Sequence, residues 1–295
     1  MPGIFSRPTI AIVSCGATGL LRPLHHDYPQ MIRTVLGNAG VSFEFKNYDA
    51  RDIDTRRKNL DERDWAAAER LETFPSDEDL RNNTYQGIIL TGSPASVYDG
   101  PRWIKDLLDN VHKTRRDHST KLIGICFGHQ IISKASGGHC TKNPNGMELG
   151  PERLEFTEHG KAFFKDRSEL EDQNYLSLLQ THYDHVPEIP AGFTHLVKND
   201  RSPIQAMVSD DNKCLSFQGH PEFNRSYLQS LIQSRYSAIL PIPRIYSEDE
   251  RQPRTQDEKN YIQNQWKKLG TEKTNGEWTM SQIAKFINGD IGVNQ

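Results

Sequence analysis

The chain has 295 residues, 35% of them hydrophobic, and a formal net charge of −3. That length holds one large α/β core or two small ones, and the near-balanced charge gives no dominant field of either sign, which argues against a nucleic-acid or membrane surface. No apolar run approaches the ~20 residues of a membrane span, and the short N-terminal run Ile10 to Val13 reads as a first strand rather than a secretory signal.

Thr9 to Ser14 is that strand, followed by the loop Cys15-Gly16-Ala17-Thr18-Gly19. Met31, Ile32, Val35 and Leu36 recur at helical spacing, and Gly37 and Gly40 close the helix. Residues 41–48 alternate as a second strand, so the chain opens with a βαβ unit, which predicts a parallel sheet. Residues 51–84 are highly charged and read as a surface excursion with a helix near Trp65-Ala66-Ala67-Ala68. Within it, Arg56-Arg57-Lys58 is followed by Asp61, Glu62 and Asp64, the pattern of a solvated helix face. Residues 87–91 form the next strand and residues 103–112 an amphipathic helix; residues 121–125 are again a buried strand, and the helix over 129–136 stops at Gly137-Gly138. Residues 154–217 are richer in short strands, around Val197, 204–208 and 215–218. Residues 227–239 read as a helix, Pro241-Ile242-Pro243 ends the compact domain, residues 247–256 are a polar linker, and helices follow near 261–269 and 280–287.

Four cysteines, Cys15, Cys126, Cys140 and Cys214, are widely spaced with no CxxC pair. A zinc site or disulfide framework is not expected, nor any other metal or cofactor, and a reducing, cytoplasmic compartment is the default. One cysteine stands out. Gly124-Ile125-Cys126-Phe127-Gly128-His129-Gln130 lies between a buried strand and a helix, with a glycine two residues to either side of Cys126. That is the spacing of a nucleophile elbow, a tight turn that presents the thiol at a helix N-terminus where backbone N–H groups and the helix dipole favour thiolate. The Phe127 N–H would be one oxyanion donor. Alone, the pattern also fits a buried cysteine in a strand-to-helix turn.

Gln218-Gly219-His220-Pro221-Glu222 follows the apolar run 215–217. His220 can act as general base, and Glu222, two residues on, lies on the same side of an extended chain, where it can orient the imidazole and stabilise its cation. Leu90-Thr91-Gly92-Ser93-Pro94 ends another buried strand, where the Gly92 N–H can complete the oxyanion hole.

Taken with Thr181-His182-Tyr183-Asp184-His185-Val186, these blocks resemble, in order, the class I (triad) glutamine amidotransferases over residues 85–225. The resemblance implies an α/β fold with a mostly parallel central sheet and flanking helices, the flavodoxin-like three-layer architecture, with residues 1–240 as catalytic domain and 241–295 as a C-terminal helical extension. It implies that Cys126 attacks a γ-glutamyl carbonyl to form a thioester, that His220 protonates the leaving amine, that Gly92 and Phe127 hold the oxyanion, and that Gln130 helps bind the glutamyl group. His182 would join Gln130 in binding and, with Asp184, shape the pocket rather than react. Where most of the family reads Phe-His-Pro-Glu, this chain has Gly219 before His220, a variant similar to the free-standing branch that contains γ-glutamyl peptidases. No G-x-x-x-x-G-K-[ST] loop or synthetase module accompanies it. Two readings follow: an amidotransferase that passes ammonia from glutamine to a separate synthetase or other acceptor, or a self-sufficient peptidase acting on glutathione conjugates or other γ-glutamyl peptides. A non-catalytic binding module ranks below both. An α/β-hydrolase is disfavoured because it expects its acid between nucleophile and histidine in chain order.

Overall fold

The computed structural model describes residues 8–18, 21, 25–58, 62–241, 251–253 and 255–293; Gly19, Asp61, Ile242-Pro243 and the start of the polar linker lie outside them. The strands are β1 (Thr9–Ser14), β2 (Glu44–Asp49), β3 (Gly87–Leu90), β4 (Lys121–Ile125), β5 (Thr141–Lys142), β6 (Glu148–Phe156), β7 (Tyr175–His182), β8 (Asp184–His185), β9 (Phe193–Lys198), β10 (Ala206–Ser209) and β11 (Cys214–Phe217). The helices are α1 (Tyr28–Asn38), α2 (Ile53–Arg57), α3 (Glu62–Glu69), α4 (Asp77–Arg81), α5 (Arg102–Asp117), α6 (Phe127–Ala135), α7 (Glu158–Phe163), α8 (Arg225–Tyr236), α9 (Gln256–Thr271) and α10 (Gly276–Asn288).

A nine-stranded sheet runs in the order β2-β1-β3-β4-β11-β10-β9-β6-β7. From β2 to β11 every pairing is parallel, and from β11 to β7 every pairing is antiparallel. Parallel strands must be covered on both faces, which is why β3 and β11 are buried along their whole length. On one face, Ile32 and Leu36 of α1 join Ile283, Phe286 and Ile287 of α10 over Ile10, Ile12, Ile89 and Ile123. On the other, Ile104, Leu107 and Val111 of α5 join Ile131 and Ile132 of α6 over Ala11, Val13, Ile88 and Leu122. Helices on both faces of the sheet make three layers. No described helix is long and apolar enough to cross a membrane.

Three sequence expectations shift. Gly37 lies inside α1, and the turn after the helix is made by Gly40, whose φ of 74° suits glycine. The 51–84 excursion carries three short helices rather than one, and Arg56 is not on a solvated face. It is 3% exposed, and its guanidinium donates to the carbonyls of Asp49, Arg51, Ala68 and Leu71, tying the excursion together. The region after 147 also contains two long strands, β6 and β7, which pair along nearly their whole length. β6 escapes an alternation search because Glu148, Gly150 and Pro151 sit among its buried positions.

The helices beyond residue 240 pack on this framework. Tyr261 of α9 accepts from the Leu149 N–H at 3.0 Å and donates to Glu152 at 2.8 Å. Gln265 donates to Glu152 at 2.8 Å. Ile262 and Leu269 share a core with Leu149, Leu179 and the α8 residues Tyr227, Leu228 and Ile232. At the head of α10, Asn275 and Ser177 exchange hydrogen bonds of 2.7 and 2.8 Å, and Gly276 lies so close to the Pro221 carbonyl that a Cβ would stand 2.5 Å from that oxygen.

Candidate active site

Cys126 caps the junction of β4 and α6 with φ 54° and ψ −104°, a left-handed conformation that a non-glycine residue adopts only under constraint. The constraint is local. A Cβ on Gly124 would stand 2.5 Å from the Gly128 carbonyl oxygen, and one on Gly128 would overlap the Leu90 carbonyl of the neighbouring strand, so only glycines let the elbow fold this tightly. The Cys126 N–H donates to the Phe217 carbonyl at 2.8 Å, binding the elbow to β11. Phe127 opens α6, where helix geometry leaves its N–H without an intrahelical acceptor, and its ring packs on Trp103 at 5.7 Å between centroids.

His220 follows β11. Its N–H donates to the Leu179 carbonyl at 2.8 Å, its Nδ1 lies 2.8 Å from Glu222 Oε1, and its ring stacks on Phe223 at 3.9 Å. His220 and Glu222 are 3% and 1% exposed. Burial works to lower the imidazole, but the Glu222 carboxylate and the Cys126 sulfur outweigh it and push His220 up to about 10. The remaining nitrogen, Nε2, is directed to the Cys126 sulfur and has no other hydrogen-bond partner. Gly92 packs between base and thiol: a Cβ there would stand 2.9 Å from His220 Cε1 and 3.7 Å from Cys126 Cβ. The arrangement can relay a proton between a thiol and a bound group while Glu222 holds the ring.

Cys126, Gln130, His182 and His220 line one cavity of about 690 Å³, walled on its apolar side by Tyr28, Phe223 and Tyr227. Gln130 Nε2 donates to the Asp184 carbonyl at 3.0 Å and to Gln218 Oε1 at 3.1 Å, so its own carbonyl is the group left to meet a ligand. His182 Nδ1 lies 2.8 Å from the Asp184 carbonyl, and burial holds this histidine down to about 3. The Asp184 carboxylate accepts from Ser96 and, at 2.6 Å, from Tyr98, so it is committed to the loop after β3. Sequence reasoning missed the aromatic wall, although Phe223 adjoins Glu222 and Tyr227 follows on the next turn. It also missed Glu148, a fully buried carboxyl opposite His182, for which no sequence signal exists. Cys15 and Cys214 are buried, and burial pushes both thiols up to about 12. Gly219 lets the chain pass close to β7, since a Cβ there would stand 2.7 Å from Gln180 Nε2.

The family model described as glutamine amidotransferase class-I matches residues 26–235. A glutamine amidotransferase-like protein of Schizosaccharomyces pombe is 32% identical over 161 residues, 54% of this chain and 61% of that protein. Gamma-glutamyl peptidase 5 of Arabidopsis thaliana is 32% identical over 160 residues, 54% of this chain and 61% of that protein. The matched stretch thus spans less than two thirds of either relative. The crystal structure of a glutamine amido transferase from Methylobacillus flagellatus superposes with a TM-score of 0.60 at 19% identity, covering 96% of this chain and 95% of that one, which shows the shared flavodoxin-like α/β fold. With the family model covering more than half of its length, this chain belongs to the class-I glutamine amidotransferase family.

Proposed function

We propose that the protein is a thiol hydrolase of γ-glutamyl amides, with Cys126 as nucleophile, His220 as acid and base, and Glu222 as the group that orients His220. The observation that carries this reading is the His220 ring, held by Glu222 at 2.8 Å and packed against Gly92 beside the Cys126 elbow. In this mechanism the Cys126 thiolate adds to the γ-carbonyl, and the oxyanion accepts from the Phe127 and Gly92 N–H groups. The His220 imidazolium, its Nε2 free of other partners, protonates the leaving amine; the Cys–glutamyl thioester remains, and water activated by neutral His220 releases glutamate and the thiol. A raised His220 supports this cycle, because an imidazolium is the counter-charge a thiolate needs. Gln130 and His182 line the same cavity as Cys126 and would hold the glutamyl group in this reading. Residues 1–240 form the catalytic unit in this reading, 241–295 is an extension that braces it, and the thiol chemistry suits a reducing, cytoplasmic setting.

The leaving amine divides two readings. Ammonia drawn from glutamine and passed to a separate synthetase or other acceptor is the amidotransferase reading. The cavity of about 690 Å³ favours the other, since pockets of roughly 300–1,000 Å³ enclose ligands well beyond one amino acid: a self-sufficient γ-glutamyl peptidase whose leaving group fills the aromatic side. Glutamate release from glutamine and from γ-glutamylglycine by the pure protein tests both. Release that depends on Cys126 supports the hydrolase; release that persists in Cys126→Ser at the wild-type rate overturns it. Faster release from the dipeptide selects the peptidase, and faster release from glutamine the amidotransferase.

A further inference from the structure

Glu148 opens β6 and stands in register with His182 at the end of β7. Its side chain has no solvent exposure, so its oxygens depend wholly on protein partners. Asn199 Nδ2 donates to Oε2 at 2.7 Å, and Gln205 Nε2 lies 3.1 and 3.0 Å from the two oxygens. Gln205 is held in turn by Gln180, whose Nε2 donates to it at 3.2 Å. On the side facing the cavity stands His182 Nε2, 3.7 Å from Oε1 and without a hydrogen-bond partner.

The proton count on this pair follows from chemistry. A carbonyl only accepts, so the Asp184 carbonyl, 2.8 Å from His182 Nδ1, requires the proton on that nitrogen. In a neutral ring Nε2 is then a bare lone pair facing a carboxylate oxygen, two acceptors in a dry interior. One further proton between them removes the conflict. An imidazolium–carboxylate pair would bury two charges, whose loss of hydration can exceed their attraction when no hydrogen bond joins them; a carboxylic acid facing a neutral imidazole buries none. The other titratable groups near the pair are Glu152, engaged by Tyr261 and Gln265, Arg201, which donates to the Asn145 and Met147 carbonyls, and His220, His129 and His185, whose positive charge would disfavour a second cation at His182. Glu152 and Arg201 are committed to other partners, and the histidines act in the direction of a neutral His182. Burial also raises Glu148 to about 7, in the direction the geometry requires.

We propose that Glu148 is a positioning residue that carries a proton toward His182 Nε2, and that this neutral pair fixes the imidazole holding the Asp184 carbonyl to which Gln130 is also tied. The catalytic consequence rests on the γ-glutamyl hydrolase reading above; the protonation state does not. Glu148 touches no reacting atom, so its loss acts on substrate binding more than on turnover.

The test uses the full chain labelled with 15N-histidine, with His182 assigned through His182→Gln. The wild type should show His182 neutral at pH 6, protonated on Nδ1, with an Nε2 resonance that steps as the Glu148 proton leaves near neutral pH. In Glu148→Gln the tautomer should persist, because the amide can donate to Nε2, and the step should vanish. With glutamine and γ-glutamylglycine as probes, Glu148→Ala should raise KM about tenfold while kcat changes less than about threefold, and Glu148→Gln should restore most of KM. An imidazolium signal at pH 6, a proton on Nε2 in place of Nδ1, or a pH step that survives Glu148→Gln overturns the proposal, and the last two arms need no variant less conservative than a glutamine. Failure of the wild type to release glutamate overturns the hydrolase reading alone, leaving the histidine spectrum to judge the pair.

Discussion

Strands β1, β3 and β4 bury aliphatic side chains almost exclusively, whereas the antiparallel half of the sheet and its loops bury Glu148, Gln180, His182 and Gln205. The two halves do different work. The parallel half is a rigid apolar block that ends at Cys126 and, through β11, at His220; rigidity there holds a strained elbow that would otherwise relax. The antiparallel half places polar groups against the cavity, and each must be paired or protonated to be tolerated. Cys126 and His220 thus stand at the ends of the apolar half, and Thr181, His182 and Asp184 bring the polar half to the same cavity. A functional site drawn across such a seam can vary what it binds without disturbing what reacts.

The largest effects should come from the ends of the parallel half. Cys126→Ser and His220→Ala should each lower kcat for glutamate release by on the order of 10⁴–10⁶, and Glu222→Gln by on the order of 10²–10⁴. If Glu222→Gln were kinetically silent, the division of labour between the halves would fail, because orientation of the base would have to come from elsewhere. Stability separates the halves next. Ile123→Ala removes a fully buried aliphatic side chain of β4 and should cost about 2–5 kcal/mol in urea unfolding. Gln205→Ala leaves Glu148 short of a donor and should cost about 1–3 kcal/mol; the reverse ranking would mean that the polar half is the stiffer one.

The pH dependence of unfolding sharpens the same contrast. Burial holds His129 and His182 near 3, below their ordinary 6.5. The unfolded chain therefore binds more protons in acid, and stability falls as pH drops from about 6.5 toward 3. Glu148, raised from 4.5 to about 7, acts oppositely: its folded form binds more protons, so stability falls as pH rises from about 4.5 through 7. His220, raised from 6.5 to about 10, adds its own fall above about 6.5. Urea midpoints across pH 4–8 should therefore rise and then fall, and Glu148→Gln should steepen the rise between about 4.5 and 6.5 while the His220 fall remains. The smallest effect belongs to α9. Tyr261→Phe removes the hydroxyl that bridges Leu149 and Glu152 and should cost about 0.5–1.5 kcal/mol; no change in the unfolding midpoint would show that Ile262, Leu269 and the Gln265–Glu152 contact suffice to hold α9.

The apolar half was legible in the chain because a strand covered on both faces is written as a continuous hydrophobic run, as in Gly87–Leu90 and Leu122–Ile125. The elbow at Cys126 and the His220-Pro221-Glu222 turn were legible for a related reason: tight local geometry demands particular residues at fixed spacing. The structure brings Cys126, His220 and Glu222 to one place, with Gln130 and His182 on the same cavity. The polar half hid because a buried glutamate or glutamine looks like a surface residue until its partners are known. Glu148 finds Asn199 and Gln205 more than fifty positions away. Arg56 misled in the same manner, its four carbonyl partners being spread from Asp49 to Leu71.

One contact bears on how the molecule is made. Gly276 at the head of α10 lies against the Pro221 carbonyl, between His220 and Glu222, and the rest of that helix covers Ile10, Ile12, Ile89 and Ile123. Synthesis runs from the N-terminus at ~5–20 residues per second, so all the strands leave the ribosome before α10 does. For those seconds the sheet face already flanked by α1 lacks its α10 cover, and the turn carrying the histidine lacks the contact with Gly276. The final described helix closes both together, so the apolar face and the turn between His220 and Glu222 are covered by the same event.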